Sequence, residues 1–372
     1  MASLREDIYT VYKGVLFEDS IRNDIDKENV SVCRLLHFLN IDDIAQHVEN
    51  NHYPNKDWHF RYRISSMIKL TIVKCFRDLS FNKTISSLSD EEALLLHFVN
   101  DGGNISLPTG STLHHFVKYR LGTDGLQHIM RMIAERIIGL TKARDLKTDS
   151  TPLEASRYDK YSDYNPHYGC KMDKAHITMI GVFPLCMTYT NGLAGDSPEL
   201  DKHIDFLKNL NVDIDSYALD SGCDSFENHA DIWHYLKVKP TIPPKCNAVI
   251  SIEGTIERIN HWVNKLWKKG GSIHMPITKK LELLYDNGRR KQVGMYLRNE
   301  MMADEKFEEK IKTRQPIERS NRHIKGRVTF DVRKIQKNSR ELYSIARFVA
   351  YQFMTLANLQ NKIEKIDLAK YF

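Results

Sequence analysis

Two stretches decide how this chain folds: Leu146-Lys147-Thr148-Asp149-Ser150-Thr151-Pro152 and Tyr217-Ala218-Leu219-Asp220-Ser221-Gly222. Each reads as a strand with an aspartate at its C-terminal end, which is where open α/β sheets place their ligands. The spacing around them predicts strands over Arg144–Ser150, Tyr168–Ile180 and Gly181–Tyr189. Asp196-Ser197-Pro198-Glu199 then starts a helix running to about Leu210, with proline early and acids in the first turn. A strand over Asp215–Leu219, a helix over Asp224–Leu236 and a strand over Val238–Ile242, stopped by Pro243-Pro244, complete the run. Three strands, a helix, a strand, a helix and a strand make an α/β pattern whose first strands form a meander.

The flanks read differently. Residues 1–142 are helical in pattern: Ile64, Met67, Ile68, Ile72 and Val73 form one helical stripe. Pro108–Thr112 is a turn with capping hydroxyls. It opens a helix with Leu113, Phe116, Val117 and Leu121 on one face and Gly122 at its stop. His114, Lys118 and Arg120 lie off that stripe, as DNA contacts of a recognition helix would. An ordinary amphipathic helix of a small bundle is the other reading. Residues 245–295 interrupt the α/β order with Trp262, Lys265, Trp267, Lys268, Lys269 and the tight turn Asp286-Asn287-Gly288, of hairpin type. Helical patterning returns from about Leu297, includes Pro316–Lys325, and ends in Ser339–Ile363, apolar nearly all round from Ile345 to Leu356 and therefore read as buried.

Composition sets the limits. With 372 residues, 41% hydrophobic and 27% charged, the chain has the make-up of a globular protein of two or three domains. No run of about 18 apolar residues predicts a membrane span, and the N-terminus lacks the apolar core of a signal peptide, so an intracellular location is expected. The six cysteines form no C-x-x-C pair, which argues for reduced thiols and against a zinc ribbon. His167, Cys170 and His176 fit no standard zinc spacing either. The net charge of +6 is uneven: residues 231–340 hold 25 lysines and arginines against 12 acids, leaving 29 against 36 elsewhere. A basic third on a mildly acidic body points to an anionic polymer partner, or to a solvated charged surface.

Two aspartates on neighbouring strands can share a divalent cation, and hard oxygen ligands suit Mg²⁺ or Mn²⁺. A third carboxylate from a helix would complete a two-metal site for phosphodiester chemistry. Either Asp alone reads as well as a cap of the turn that follows it.

Further residues carry a resemblance. Arg314, Glu318 and Lys325 have three and six residues between them, with Ile311 before them. With Thr148–Pro152, Tyr168-Gly169-Cys170-Lys171, Gly195–Leu200, Ile242–Lys245 and the Pro108–Gly122 stretch, they resemble the insertion-sequence transposases known for a Tyr-Arg-Glu-Lys signature, over about residues 60–360. Ile311 departs from the signature's Tyr. On a helix Arg314 and Glu318 share a face, and Lys325 lies near it two turns on. The rival Glu257, in a local echo of the same pattern, lacks both cations.

The resemblance implies an α/β fold with an RNase H-like mixed sheet flanked by helices, an N-terminal helical domain, and a mainly β insertion before the helix of the catalytic Glu. The implied domains are 1–142, helical and DNA-binding; 143–244, the first part of the catalytic core; 245–295, the insertion; and 296–372, the second part of the core with C-terminal helices. It implies Asp149, Asp220 and Glu318 as catalytic metal ligands for two Mg²⁺ (or Mn²⁺) ions. The partners it implies are double-stranded DNA, both element terminal repeats and target, bound by a dimer in a prokaryotic cytoplasm or nucleoid. Arg314, Arg319, Arg322, Lys325, Lys265, Lys268 and Lys269 would contact DNA, and Trp262 or Trp267 would stack a flipped base, although such a Trp is more often core. Water would first cut at the element end, and the freed 3′-hydroxyl would then attack target DNA. A DNA-binding relic and an RNase H-fold nuclease without strand transfer are the alternatives.

Overall fold

The computed structural model describes residues 32–53, 61–210, 212–245, 248–249, 251–267, 274–312 and 337–360. They form two compact units, taken separately here. The first contains the described residues up to 141 together with 337–360; the second contains those from 142 to 312.

The first unit is helical. Its helices are α1 (Val32–His37), α2 (Asp42–His52), α3 (Ile64–Arg77), α4 (Phe81–Ser86), α5 (Asp90–Leu95), α6 (Gly110–His115) and α7 (Gly122–Leu140). Ser89 starts α5 with a full capping box: its hydroxyl accepts the Glu92 N–H while the Glu92 carboxylate takes the Ser89 N–H. The stripe read in the sequence holds, since Leu113, Phe116, Val117 and Leu121 are all buried. After α6 the chain widens into a π-turn over Phe116–Leu121. Gly122, at φ +59°, ends that turn, and the chain at once resumes as α7. The sequence expected a full stop there.

The last described helix of the chain (Lys337–Gln360, called α14 below) is buried on nearly every side, with Phe348, Phe353, Met354 and Leu356 at 0% exposure. It packs against α7 and α3. This corrects the expected grouping of residues 296–372 with the catalytic core: the C-terminal helix belongs to the N-terminal helical unit.

The second unit is a six-stranded mixed sheet with helices. The strands are β1 (Asp145–Glu154), β2 (Asp163–Asn165), β3 (Cys170–Ile180), β4 (Phe183–Asn191), β5 (Ser216–Ala218) and β6 (Pro240–Thr241). β3 lies between β1 and β4, antiparallel to both; β1 is parallel to β5 and β5 to β6. The meander followed by crossovers is thus as expected. β2, a short strand on the end of β3, was not foreseen. α8 (Asp196–Lys208) connects β4 to β5, and α9 (Phe226–Leu236) connects β5 to β6. β1 runs past the expected end at Ser150, through Pro152 to Glu154. Beyond Lys147 it is laddered only to β3, so the missing proline N–H breaks no bond to β5.

Residues 245–295 overturn the expectation of a mainly β insertion. Their described part is helical: α10 (Ile252–Leu266), α11 (Ile277–Asp286) and α12 (Arg290–Met302), with α13 (Phe307–Lys312) beyond. Thr255, Ile259 and Val263 recur at helical spacing on α10 and are buried. Ile259 and Val263, with Ala230 of α9, Leu281 and Leu284 of α11, and Val293 and Leu297 of α12, form one apolar core. Asn287-Gly288 joins two helices, Gly288 taking φ +72° after α11 as a helix-terminating glycine does. α12 also runs straight through the expected boundary at 296.

Candidate active site on the mixed sheet

The parallel ladder of β1 and β5 ends at the pair Lys147 and Ala218. Two residues further along the chain stand Asp149, still within β1, and Asp220, which lies beyond the end of β5 and caps the short 3-10 turn Ser221–Cys223. Asp149 is therefore inside β1 rather than at its end, but it lies just past the point where β1 and β5 part. Both aspartates line one small cleft, together with Asp196 and Glu199 from the first turn of α8. Oδ1 of Asp149 accepts the Ser150 N–H at 3.0 Å, and Oδ1 of Asp220 accepts the Ser221 N–H at 2.7 Å. The turn-capping role and the cleft-lining role thus coexist.

Asp196 was read in the sequence only as a helix start. Its Oδ1 lies 3.4 Å from Lys174 Nζ and 3.4 Å from His176 Nδ1. Its other oxygen faces Gly222, where a Cβ would come within 3.0 Å. Tyr168 adds a phenol: burial first, then the carboxylates of Asp196, Asp149 and Asp220, push its pKa above the usual range. The sequence signal for Asp196 and Glu199 was the acid-rich first turn; for Tyr168 it was only its place in a short motif.

A buried polar network underlies the cleft. Thr148, next to Asp149, bonds Tyr217 OH at 2.7 Å and Thr178 Oγ1 at 2.5 Å. Thr178 Oγ1 and Cys186 Sγ meet His203 Nδ1 at 2.7 and 3.2 Å, and Thr188 Oγ1 meets its Nε2 at 3.0 Å. One ring thus ties β3 and β4 to α8. Burial holds the His203 pKa down to about 3, from an ordinary 6.5. Its folded pKa is depressed, so the stability it contributes is fully present above about pH 6.5. That stability is lost as the pH falls toward 3, because the unfolded ring takes up a proton that the buried one refuses. Each pH unit in that window costs about 1.4 kcal/mol. His203→Gln should be less stable than native at pH 7 but should lose less on moving to pH 5. Urea midpoints at both pH values check this, and equal losses in the two proteins would be the contrary result.

The carboxylate oxygens of Asp149 and Asp220 suit a hard divalent cation. Among the described residues no group of three His, Cys, Asp or Glu is disposed to hold a metal ion. Two aspartates are an incomplete set. Glu318, read as the third, lies outside the described residues, as do Arg314, Arg319, Arg322, Lys325, Lys268 and Lys269.

The remaining residues singled out in the sequence are placed as follows. Trp262 and Trp267 are half-buried and pack on the insertion core. The Trp262 ring is covered by Arg289, 3.8 Å from its centroid, with Lys265 at 5.0 Å. His114 sits edge-on to Phe81, Lys118 over Tyr119, and Arg120 over Tyr53. His176 is engaged by Asp196 and by Thr190 Oγ1, a structural role. Cys33, Cys75, Cys186 and Cys223 are buried and form no disulfide, and Cys170 is half-buried. No helix among the described residues is long and apolar enough to cross a membrane.

A curled mixed sheet flanked by helices, with paired aspartates where its central parallel strands diverge, is consistent with an RNase H-like fold. The transposase DDE domain family matches residues 141–353, more than half of the sequence, and the chain belongs to that family of transposases. That family generally uses divalent metal ions. No curated protein matches. A solved piggyBac transposase synaptic complex with hairpin DNA aligns over 91% of this chain and 82% of that one, at 10% identity and a TM-score of 0.30.

Proposed function

We propose that the chain is an insertion-sequence transposase that cuts DNA at the element ends and joins the freed ends to target DNA. The observation that carries this reading is that Asp149 and Asp220 line one acid-rich cleft, within a transposase DDE domain. Asp149 and Asp220, with Glu318, would hold two Mg²⁺ or Mn²⁺ ions, which when bound would supply Lewis acidity and charge neutralisation for an in-line displacement at phosphorus. Hydrogen bonds from the next backbone N–H, 3.0 Å at Asp149 and 2.7 Å at Asp220, orient one oxygen of each carboxylate before substrate arrives. Arg314 and Lys325, four residues before and seven after Glu318 in the sequence, grip phosphate. Arg319, Arg322, Lys265, Lys268 and Lys269 add backbone contacts and make binding salt-dependent. Trp262 stacks a base only if Arg289 leaves its face; the ring's packing favours the core role. His114, Lys118 and Arg120 contribute contacts from the helical unit. Two ends must be held together for joining, so a dimer on double-stranded DNA, in a prokaryotic nucleoid, is the working form.

The test is cleavage of linear DNA carrying the gene's own flanking sequence, with Mg²⁺ and with EDTA. Cutting at the ends only with metal, followed by joining of a labelled end to a plasmid, is the expected result. Cutting without joining would reduce the protein to a nuclease, and binding without cutting to a relic. Either would overturn the proposal.

A further inference from the structure

The segment between β1 and β3 carries four tyrosines in eleven residues, and all four face solvent: Tyr158 at 75%, Tyr161 at 56%, Tyr164 at 57% and Tyr168 at 45% exposure. Exposed large rings so concentrated need an explanation, because burial would remove more than 100 Å² of each from water. The backbone that carries them is pinned. Asn165 Nδ2 donates to the Gly192 carbonyl at 2.7 Å, and its Oδ1 accepts the His167 and Tyr168 N–H groups. Asp159 Oδ1 accepts the Tyr161 N–H at 2.7 Å, Ser162 Oγ donates to Asp173 Oδ2 at 3.2 Å, and the Ala155 N–H donates to the Lys171 carbonyl. The rings are therefore held outward by a structured loop.

The charges on the same segment are sorted. Arg157 and Lys160 are exposed, whereas Asp159 is buried and Asp163 half-buried. Arg157 lies 4.6 Å over the Tyr158 ring. The row also has a direction: its last ring, Tyr168, follows Asn165, whose side chain holds the Gly192 carbonyl four residues before Asp196 of the cleft. Aromatic faces interleaved with cations, leading to a phosphodiester site, match a single strand, which offers bases to stack and phosphates to pair. A duplex keeps its base faces covered.

We propose that Tyr158, Tyr161, Tyr164 and Tyr168 form a stacking surface for unpaired bases of the DNA strand that enters the acid cleft. This rests on the reading that the chain acts on DNA, and it adds that the strand is opened beside the cut. Trp262 is the weaker candidate for that task, because it is half-buried and packs on the insertion core.

The experiment measures, without divalent metal, the affinity of the full chain for two labelled end fragments by fluorescence anisotropy. One is blunt, and the other has the terminal bases unpaired. Tyr161→Ala/Tyr164→Ala should weaken binding of the unpaired fragment by roughly tenfold per ring and leave the blunt fragment within about twofold. Tyr161→Phe/Tyr164→Phe should bind both as native, since the ring face is kept. Thermal melting should show both variants folded; if the alanine pair is not, Tyr158→Ala alone takes its place. Native and alanine proteins that bind the unpaired fragment alike would overturn the surface, as would equal weakening toward both fragments. A protein that cuts the ends yet gives that result keeps its proposed function and loses only this surface. One that binds neither fragment loses both.

Discussion

Asp149→Asn and Asp220→Asn should each lower DNA strand cleavage by at least about 10³-fold while leaving DNA affinity within a few-fold of native. The substitution isolates charge from shape. Each aspartate uses Oδ1 to accept the N–H of the next residue, and asparagine keeps an oxygen there, so the local turns survive. What is lost is the negative charge that holds a divalent cation, and with one carboxylate neutral the pair no longer anchors it. Removal of metal by EDTA should reproduce the effect in the native protein. Single-turnover cleavage of a labelled end fragment, beside anisotropy on the same fragment, reads both quantities. Cleavage by either variant within tenfold of native would sink the assignment. A binding loss as large as the cleavage loss would move these residues from chemistry to DNA contact.

Gly294→Ala should unfold or loosen the helical insertion. α12 crosses α9 so closely that a Cβ at Gly294 would lie 1.6 Å from the Phe226 carbonyl oxygen and 2.4 Å from its carbon. Both are backbone atoms and cannot rotate aside, so the two helices must separate. Separation opens the core shared by Ala230, Ile259, Leu284, Val293 and Leu297. Two effects oppose each other. Alanine is the better helix former by about 1 kcal/mol, whereas overpacking of a fitted contact costs about 3 kcal/mol. The clash wins, and a net loss of about 2 kcal/mol lowers the melting temperature by roughly 5 °C in a unit of this size. Gly139→Ala is the control: it is exposed near the end of α7 with nothing within 4 Å. It should be neutral or stabilise by up to about 1 kcal/mol. A higher melting temperature for Gly294→Ala would mean that α12 does not pack on α9 as described.

The corrections share one physical cause. Asn287-Gly288 was read as a strand hairpin, but the same dipeptide ends a helix, because glycine's freedom at positive φ serves both turns. The spacing of Ile259 and Val263, and of Leu281, Leu284 and Tyr285, was a helical signal that outweighs it. The C-terminal helix was recognisable as buried, yet its partners α7 and α3 are some two hundred residues earlier in the chain, and no local pattern names them. The His203 network was invisible for a related reason. Thr148, Thr178, Cys186, Thr188 and His203 are ordinary in sequence and become a network only where β3 and β4 meet α8.

By itself the sequence determined the order of the main strands and helices between Arg144 and Ile242, though not β2, together with the burial of the last helix and the two aspartates Asp149 and Asp220, because period, turn chemistry and strand ends are properties of neighbours along the chain. Tertiary structure alone decided three other things: that Asp149 and Asp220 line one cleft, that Asp196 and Glu199 join them, and that α14 returns to the N-terminal helices. These depend on which distant surfaces exclude water together, and burial between distant segments is not written in the spacing of any one of them.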